Sequence, residues 1–113
     1  MAGISREERV KLDNLVVELL YNHKGKENAV SGKEIASLLR ENSSSGHEYG
    51  TSMACFIRRV MIERRLPICH IQGSNGGYYW AKTKEELLES VKDLEERIAT
   101  MQETIEHLQS FIF

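Results

Sequence analysis

A chain of 113 residues provides one small domain with a modest core. Its composition, 41% hydrophobic and 28% charged, is that of a globular protein, and its net charge of −2 does not by itself indicate a nucleic-acid-binding chain. Two cysteines without a CxxC motif argue against a disulfide framework. The absence of an apolar N-terminal segment and of an 18-residue apolar run predicts an intracellular, cytoplasmic protein without a membrane span.

The charges are unevenly distributed along the chain. Residues 1–46 carry seven basic and seven acidic side chains, whereas residues 47–82 carry five basic and two acidic ones. Residues 83–113 carry three basic and eight acidic side chains. A basic middle segment of this kind lets a weakly acidic protein bind a polyanion with one face.

Two amphipathic helices are predicted in the first 42 residues. The first runs from residue 5 to about 22, and Ser5 with Glu8 forms a capping box at its start. Ser31 and Glu34 open a second helix that ends near residue 41, and residues 29–30 are a candidate for a very short strand. The apolar positions that we expect to face the core are Leu12, Leu15, Val16, Leu19, Leu20, Ile35, Leu38 and Leu39.

A serine- and glycine-rich loop over residues 42–50 precedes a third helix, which is predicted for residues 51–64 with Thr51 as its cap. Pro67 ends this helical region. Residues 68–71 and 78–81 then form a β-hairpin, whose turn over residues 72–77 contains three glycines. The aromatic run at 78–80 is expected to pack on the core through one face of its strand.

Residues 84–113 carry an unbroken heptad pattern, and Thr83 with Glu86 forms a third capping box at its start. β-Branched residues occupy the a positions and Leu or Met the d positions, which favours two strands in a parallel coiled coil. The flanking e and g positions are mostly neutral and do not fix the strand direction. The predicted dimer interface consists of Leu87, Val91, Leu94, Ile98, Met101, Ile105, Leu108 and Ile112.

Two other arrangements of this segment remain open. The helix can fold back on the first helix as an amphipathic arm, as Leu88 beside Leu87 suggests. Phe111 and Phe113 add apolar surface beyond a two-stranded seam, so an oligomer larger than a dimer is possible.

The order of helix, short strand, two helices and hairpin resembles the winged helix-turn-helix family over residues 5–81. The segments that carry the resemblance are SGKEIASLLRE, TSMACFIRRVMIERR and LPICHIQGSNGGYYWA. Small bacteriophage and mobile-element proteins of this kind often have a helical tail. The resemblance implies a mainly α, α+β fold: a winged-helix head over residues 1–82 and a dimerising coiled-coil helix over residues 83–113.

The resemblance further implies a homodimeric, sequence-specific double-stranded DNA-binding protein, either a transcriptional regulator or a replication accessory protein. The third helix would enter the major groove and the hairpin would lie on the backbone. The residues expected at the DNA are His47, Tyr49, Thr51, Ser52, Cys55, Arg58, Arg59, Ser74, Asn75 and Lys82. Arginine is the side chain best suited to bidentate guanine recognition.

The alternative is a protein-interaction module, in which the acidic helix docks on a protein or mimics nucleic acid. The hairpin tip without Lys or Arg favours this hypothesis, and the arginines of the third helix would then be a solvated or salt-bridged face. No nucleotide-binding or hydrolase motif occurs, and the spacing of His47, Cys55, Cys69 and His70 matches no zinc pattern. We therefore expect no enzyme activity, metal, cofactor or small-molecule ligand.

Overall fold

The computed structural model describes residues 5–43, 53–73 and 76–113. These residues form a mainly helical α+β structure with a two-stranded antiparallel sheet. In chain order the elements are α1 (Arg6–Tyr21), a 3-10 turn (Lys26–Asn28), α2 (Gly32–Asn42), α3 (Met53–Arg64), β1 (Ile68–Ile71), β2 (Gly77–Trp80) and α4 (Lys84–Gln109). In the described part of the chain, the predicted helices and the two hairpin strands are confirmed to within two residues, except that α4 ends four residues before the C-terminus. The short strand predicted at residues 29–30 is only an isolated bridge.

Of the four predicted N-caps, Thr51 lies outside the described residues, and the other three are present. The hydroxyl oxygens of Ser5, Ser31 and Thr83 accept hydrogen bonds from backbone N–H groups three residues later, at 3.1, 3.2 and 3.2 Å. Each bond satisfies one of the N–H groups that have no partner within the helix. The caps therefore explain why α1, α2 and α4 begin where they do.

The main hydrophobic core lies between α1, α2, α3 and one face of the hairpin. The fully buried side chains at its centre come from α1, α2 and the segment between them: Leu12, Val16, Leu20, Val30, Ile35 and Leu39. Met53 and Ile57 of α3 and Tyr78 of β2 close it from the other side. The helical spacing of these residues places them on one face of each helix, where burial of each large side chain stabilises the fold by roughly 1.5–3 kcal/mol.

The segment after the 3-10 turn joins the edge of the hairpin at one residue. The N–H of Val30 donates to the carbonyl of Tyr78 at 2.8 Å, and the N–H of Tyr78 donates back at 2.8 Å. A Cβ at Gly77 would lie 2.5 Å from the carbonyl oxygen of Val30, so only glycine permits this approach. The predicted strand at residues 29–30 is thus a single bridge.

Helix α4 covers the other face of the hairpin. Cys69 and Tyr79 are paired across the sheet and are buried, although neither belongs to the main core. Tyr78 and Tyr79 are 8% and 2% exposed, so both faces of β2 are buried. The expected burial of a single face was wrong because α4 packs where solvent was expected. Burial raises the pKa of the Tyr79 phenol, and the neighbouring Cys69 adds to this effect.

No described helix combines the length and the apolar character needed to cross a membrane.

Candidate nucleic-acid interface

Helix α3 and the residue that follows it present an exposed face, which we call the α3 outer face: Ala54, Cys55, Arg58, Ile62 and Arg65. These residues alternate with the buried Met53, Ile57 and Val60. The face carries two arginines and no carboxylate. A basic helix face on an exposed element is the pattern that a duplex major groove accommodates.

Arg58 lies in the middle of the α3 outer face. Its side chain is exposed and forms no ion pair or hydrogen bond with another described residue. None of the five N–H donors of the guanidinium is therefore engaged by a residue that the structure describes.

Arg65 directly follows the last residue of α3 and has an unusual backbone conformation. Its φ of 55° lies in the left-handed region, which glycine occupies most easily. The N–H of Leu66 donates to the carbonyl of Met61 at 2.8 Å, and the N–H of Arg65 donates to that of Ile62 at 3.3 Å. This pair of bonds is a Schellman motif. This motif was not predictable from local residue preferences, because the left-handed position holds an arginine instead of a glycine.

Arg59 points away from the outer face and belongs to the fold. Its two terminal nitrogens lie 3.0 and 3.2 Å from the carboxylate oxygens of Asp13, and one of them lies 3.0 Å from Glu63. The hydrogen bond with Asp13 raises the pKa of Arg59, so its charge is permanent and already paired. This geometry favours a structural role for Arg59 over the predicted DNA contact.

Two further basic residues near α3 and the hairpin, Arg64 and Lys82, also have side-chain partners. Arg64 donates to the side-chain oxygen of Asn14 at 2.6 Å, which directs it toward α1. Lys82 forms an exposed ion pair with Glu27 at 2.6 Å, and this hydrogen bond raises the Lys82 pKa. Lys82 can therefore bind a phosphate only if its ion pair with Glu27 breaks. Its contact with DNA remains a prediction.

The remaining predicted DNA contacts divide into two groups. Cys55 is an exposed free thiol on the α3 outer face, beside Arg58. The other six predicted contacts lie outside the described residues: His47, Tyr49, Thr51, Ser52, Ser74 and Asn75.

The heptad residues of α4 form a continuous apolar stripe. All eight predicted seam residues are exposed in the single chain, by 39 to 72%. A stripe of this length on one helix is far more apolar surface than a lone surface helix usually shows, and such patches mark interaction sites.

Where α4 leaves the hairpin, the stripe is continuous with a groove of about 380 Å³. This α3–α4 groove is lined mainly by apolar side chains: Ile57, Met61, Leu66, Leu87, Val91 and Leu94. The first three seam residues therefore belong to two surfaces at once: the apolar stripe of α4, a helix that we also call the rod, and the groove. Sequence reasoning missed the groove because it depends on how α4 packs against the hairpin.

Glu86 fixes the base of α4 to the rest of the fold. Its two carboxylate oxygens accept hydrogen bonds from the N–H groups of Lys82 at 2.7 Å and Lys26 at 2.8 Å. These bonds lower the pKa of Glu86, with the bond from Lys82 having the larger effect. The ammonium of Lys26 also lies 2.6 Å from Glu89. We call the contacts of Glu86 and Glu89 with Lys26 and Lys82 the Glu86 clamp.

The chain matches no protein-family model, no curated protein and no solved structure. The three surface features that bear on function are the α3 outer face, the α3–α4 groove and the α4 stripe.

Proposed function

We propose that the protein is a homodimeric, sequence-specific double-stranded DNA-binding protein with a winged-helix head. Helix α3 is its recognition helix, the β1–β2 hairpin is its wing, and α4 is its dimerisation element. The observation that carries this proposal is the α3 outer face, where Arg58 and Arg65 are exposed and the other described residues of the face carry no carboxylate. The role in the cell is that of a transcriptional regulator or a replication accessory protein of phage or mobile-element type.

Arg58 and Arg65 make different kinds of contact with DNA. Arg58, in the middle of the helix, reaches base edges, where a bidentate contact to guanine discriminates by roughly 1–3 kcal/mol. Arg65, at the end of the helix, meets a phosphate and sets the register of the helix in the groove. Arg59 holds α3 on α1 through Asp13, so that the outer face keeps its orientation.

The second head contributes through avidity. Once one head is bound, the rod holds the other near the same duplex at a high effective concentration. Two-fold symmetry of the dimer then suits a palindromic site. The acidic exterior of α4 is repelled by phosphates and turns the rod away from the duplex.

The proposal is tested by fluorescence anisotropy with labelled random-sequence duplex DNA across a salt series. Affinity should fall steeply with salt, because bound counterions are released from the phosphates. Arg58→Ala and Arg65→Ala should each weaken binding about 10-fold or more, and Arg65→Ala should lower the salt slope by about one. Arg64→Ala is the matched control, since it removes the same charge from the same helix but from a side chain bonded to Asn14.

Two results would contradict the proposal. One is the absence of binding to duplex DNA at low salt. The other is an equal loss for Arg64→Ala and Arg58→Ala, which would mean that net charge matters and the α3 outer face does not.

A protein-interaction module is the second candidate, and Ile62 favours it. This side chain is 62% exposed between Arg58 and Arg65, where an apolar group gains nothing from phosphates. An exposed isoleucine between two arginines suits a protein surface with an apolar centre and acidic edges. The same titration separates the candidates, because this module has no affinity for random duplex DNA even at low salt.

A further inference from the structure

The α3–α4 groove lies on one defined side of the rod. The α4 residues that line it include Leu87, Val91 and Leu94 of the seam, together with Ser90 and Arg97. In the heptad, Ser90 and Arg97 are g positions, whereas the e positions Leu88 and Glu95 do not line the groove. The head therefore packs against the side of its own α4 that carries the g positions. A partner helix bound along the seam must meet this groove with the side that carries either its e positions or its g positions.

The direction of the partner helix decides which flank that is. In a parallel pair the g positions of one helix face the e positions of the other, so Ser90 faces the partner's Glu95. The partner's Glu95 would then lose water against a mainly apolar groove, whose lining includes the guanidinium groups of Arg58 and Arg97. In an antiparallel pair g faces g, and Ser90 faces the partner's Phe111.

The antiparallel register that brings Phe111 to the groove is also the one that uses the whole seam. Reversing one helix pairs each a position with a d position of the partner. A single alignment gives all eight seam residues a partner. It pairs Leu87 with the partner's Ile112, Val91 with the partner's Leu108, Leu94 with the partner's Ile105, and Ile98 with the partner's Met101. A shift by one heptad in either direction leaves some of these eight residues without a partner among the eight.

Phe111 fits this position in both chemistry and size. Its ring is 76% exposed in the single chain and packs edge-on against His107 at 5.2 Å. The chain holds its helical path beyond Gln109, because the N–H of Phe113 donates to the carbonyl of Gln109 at 3.0 Å. The small side chain of Ser90 leaves room opposite the ring, and most of the groove lining is apolar.

We propose that the α3–α4 groove is the binding site for Phe111 of a second copy of this chain, and that the dimer is therefore antiparallel. The inference depends on the dimerisation in the proposed function and adds its direction. In this dimer the g sides of the two rods face the same way, so both heads lie on one face of the rod pair. Each C-terminus completes the other protomer's head beside α3.

The direction is tested by a distance between two spin labels. Phe113→Cys in a Cys55→Ser background leaves Cys69 buried and gives one labelled site per chain. In the antiparallel register, the partner's residue 113 lies opposite residue 86, 27 residues away, so the labels are separated by about 40 Å. In a parallel dimer they lie side by side, within about 20 Å of each other, given an interaxial distance of about 10 Å.

The groove contact is tested by the dimer dissociation constant in analytical ultracentrifugation. Phe111→Ala removes two buried rings per dimer and should raise this constant about 100-fold or more. Phe113→Ala is the matched control: it removes the same ring from the same end at a b position, away from the seam, and should change the constant less than about 3-fold.

Each outcome separates the two proposals. A long distance with a loss specific to Phe111 supports the antiparallel dimer. A dimer with a short distance, or with equal losses for both phenylalanines, overturns it and leaves the DNA-binding proposal intact. A chain that stays monomeric overturns both the antiparallel dimer and the dimerisation in the proposed function.

Discussion

The guanidinium of Arg59 forms two parallel hydrogen bonds with the carboxylate of Asp13, at 3.0 and 3.2 Å. Asp13 is 5% exposed and sits in the middle of α1, among the apolar residues of the core face. The ion pair therefore joins α1 and α3 at a site where neither charge is freely solvated. Its bidentate geometry fixes the rotation of α3 about its own axis, and so decides which residues form the outer face.

Replacement of Arg59 by alanine should destabilise the fold. The variant leaves the Asp13 carboxylate buried without its cation, which costs about 3 kcal/mol. The measurement is the free energy of unfolding in urea, followed by circular dichroism. Arg58→Ala is the control on the same helix and should change this free energy by no more than about 0.5 kcal/mol, because its side chain is exposed. Similar values for the two variants would show that the Asp13 pair does not hold α3.

The Glu86 clamp should open in acid. Because the pKa of Glu86 in the folded state is lowered from its ordinary value of 4.5, its stabilisation is complete above that value. It is lost as the pH falls through the lower, folded-state pKa. Hydrogen-exchange protection of the Lys26 and Lys82 amides should fall in this window, whereas the amide of Val30, bonded to Tyr78, should stay protected.

Glu86→Gln is the control for this pH dependence, because its side chain does not titrate. Protection at Lys26 and Lys82 should then show no separate acid transition. If the Val30 amide loses protection together with those of Lys26 and Lys82 in the wild-type chain, acid unfolds the whole fold and the clamp is not a local unit.

The seam is tested by a substitution in its middle. Ile98→Asp places a carboxylate in the apolar stripe of both helices and should halve the mass measured by light scattering. Ala99→Asp is the matched control, since it adds the same charge one residue later at an exposed position outside the seam. A dimer that survives Ile98→Asp would mean that the protein associates through another surface.

Local sequence patterns were sufficient to predict the helices and strands. Contacts between residues far apart in the chain could not be predicted from such patterns. The caps at Ser5, Ser31 and Thr83 were predictable because donor and acceptor are three residues apart. The pairing of Arg59 with Asp13 spans 46 residues, and nothing in the order of charges distinguishes Arg59 from Arg58. The burial of Tyr79 likewise depends on α4, which the heptad pattern presented as a rod independent of the head.

The Glu86 clamp constrains the geometry of the DNA site in the proposed dimer. Because the Glu86 carboxylate at the base of α4 accepts hydrogen bonds from the backbone N–H groups of Lys26 and Lys82, each α3 keeps a constant angle to its own α4. Two heads joined in this way cannot turn independently to follow a duplex. In the proposed dimer, half-sites must recur on one face of the DNA, once per turn of about 34 Å. Insertion of half a turn between them moves the second half-site to the far face, where only one head binds.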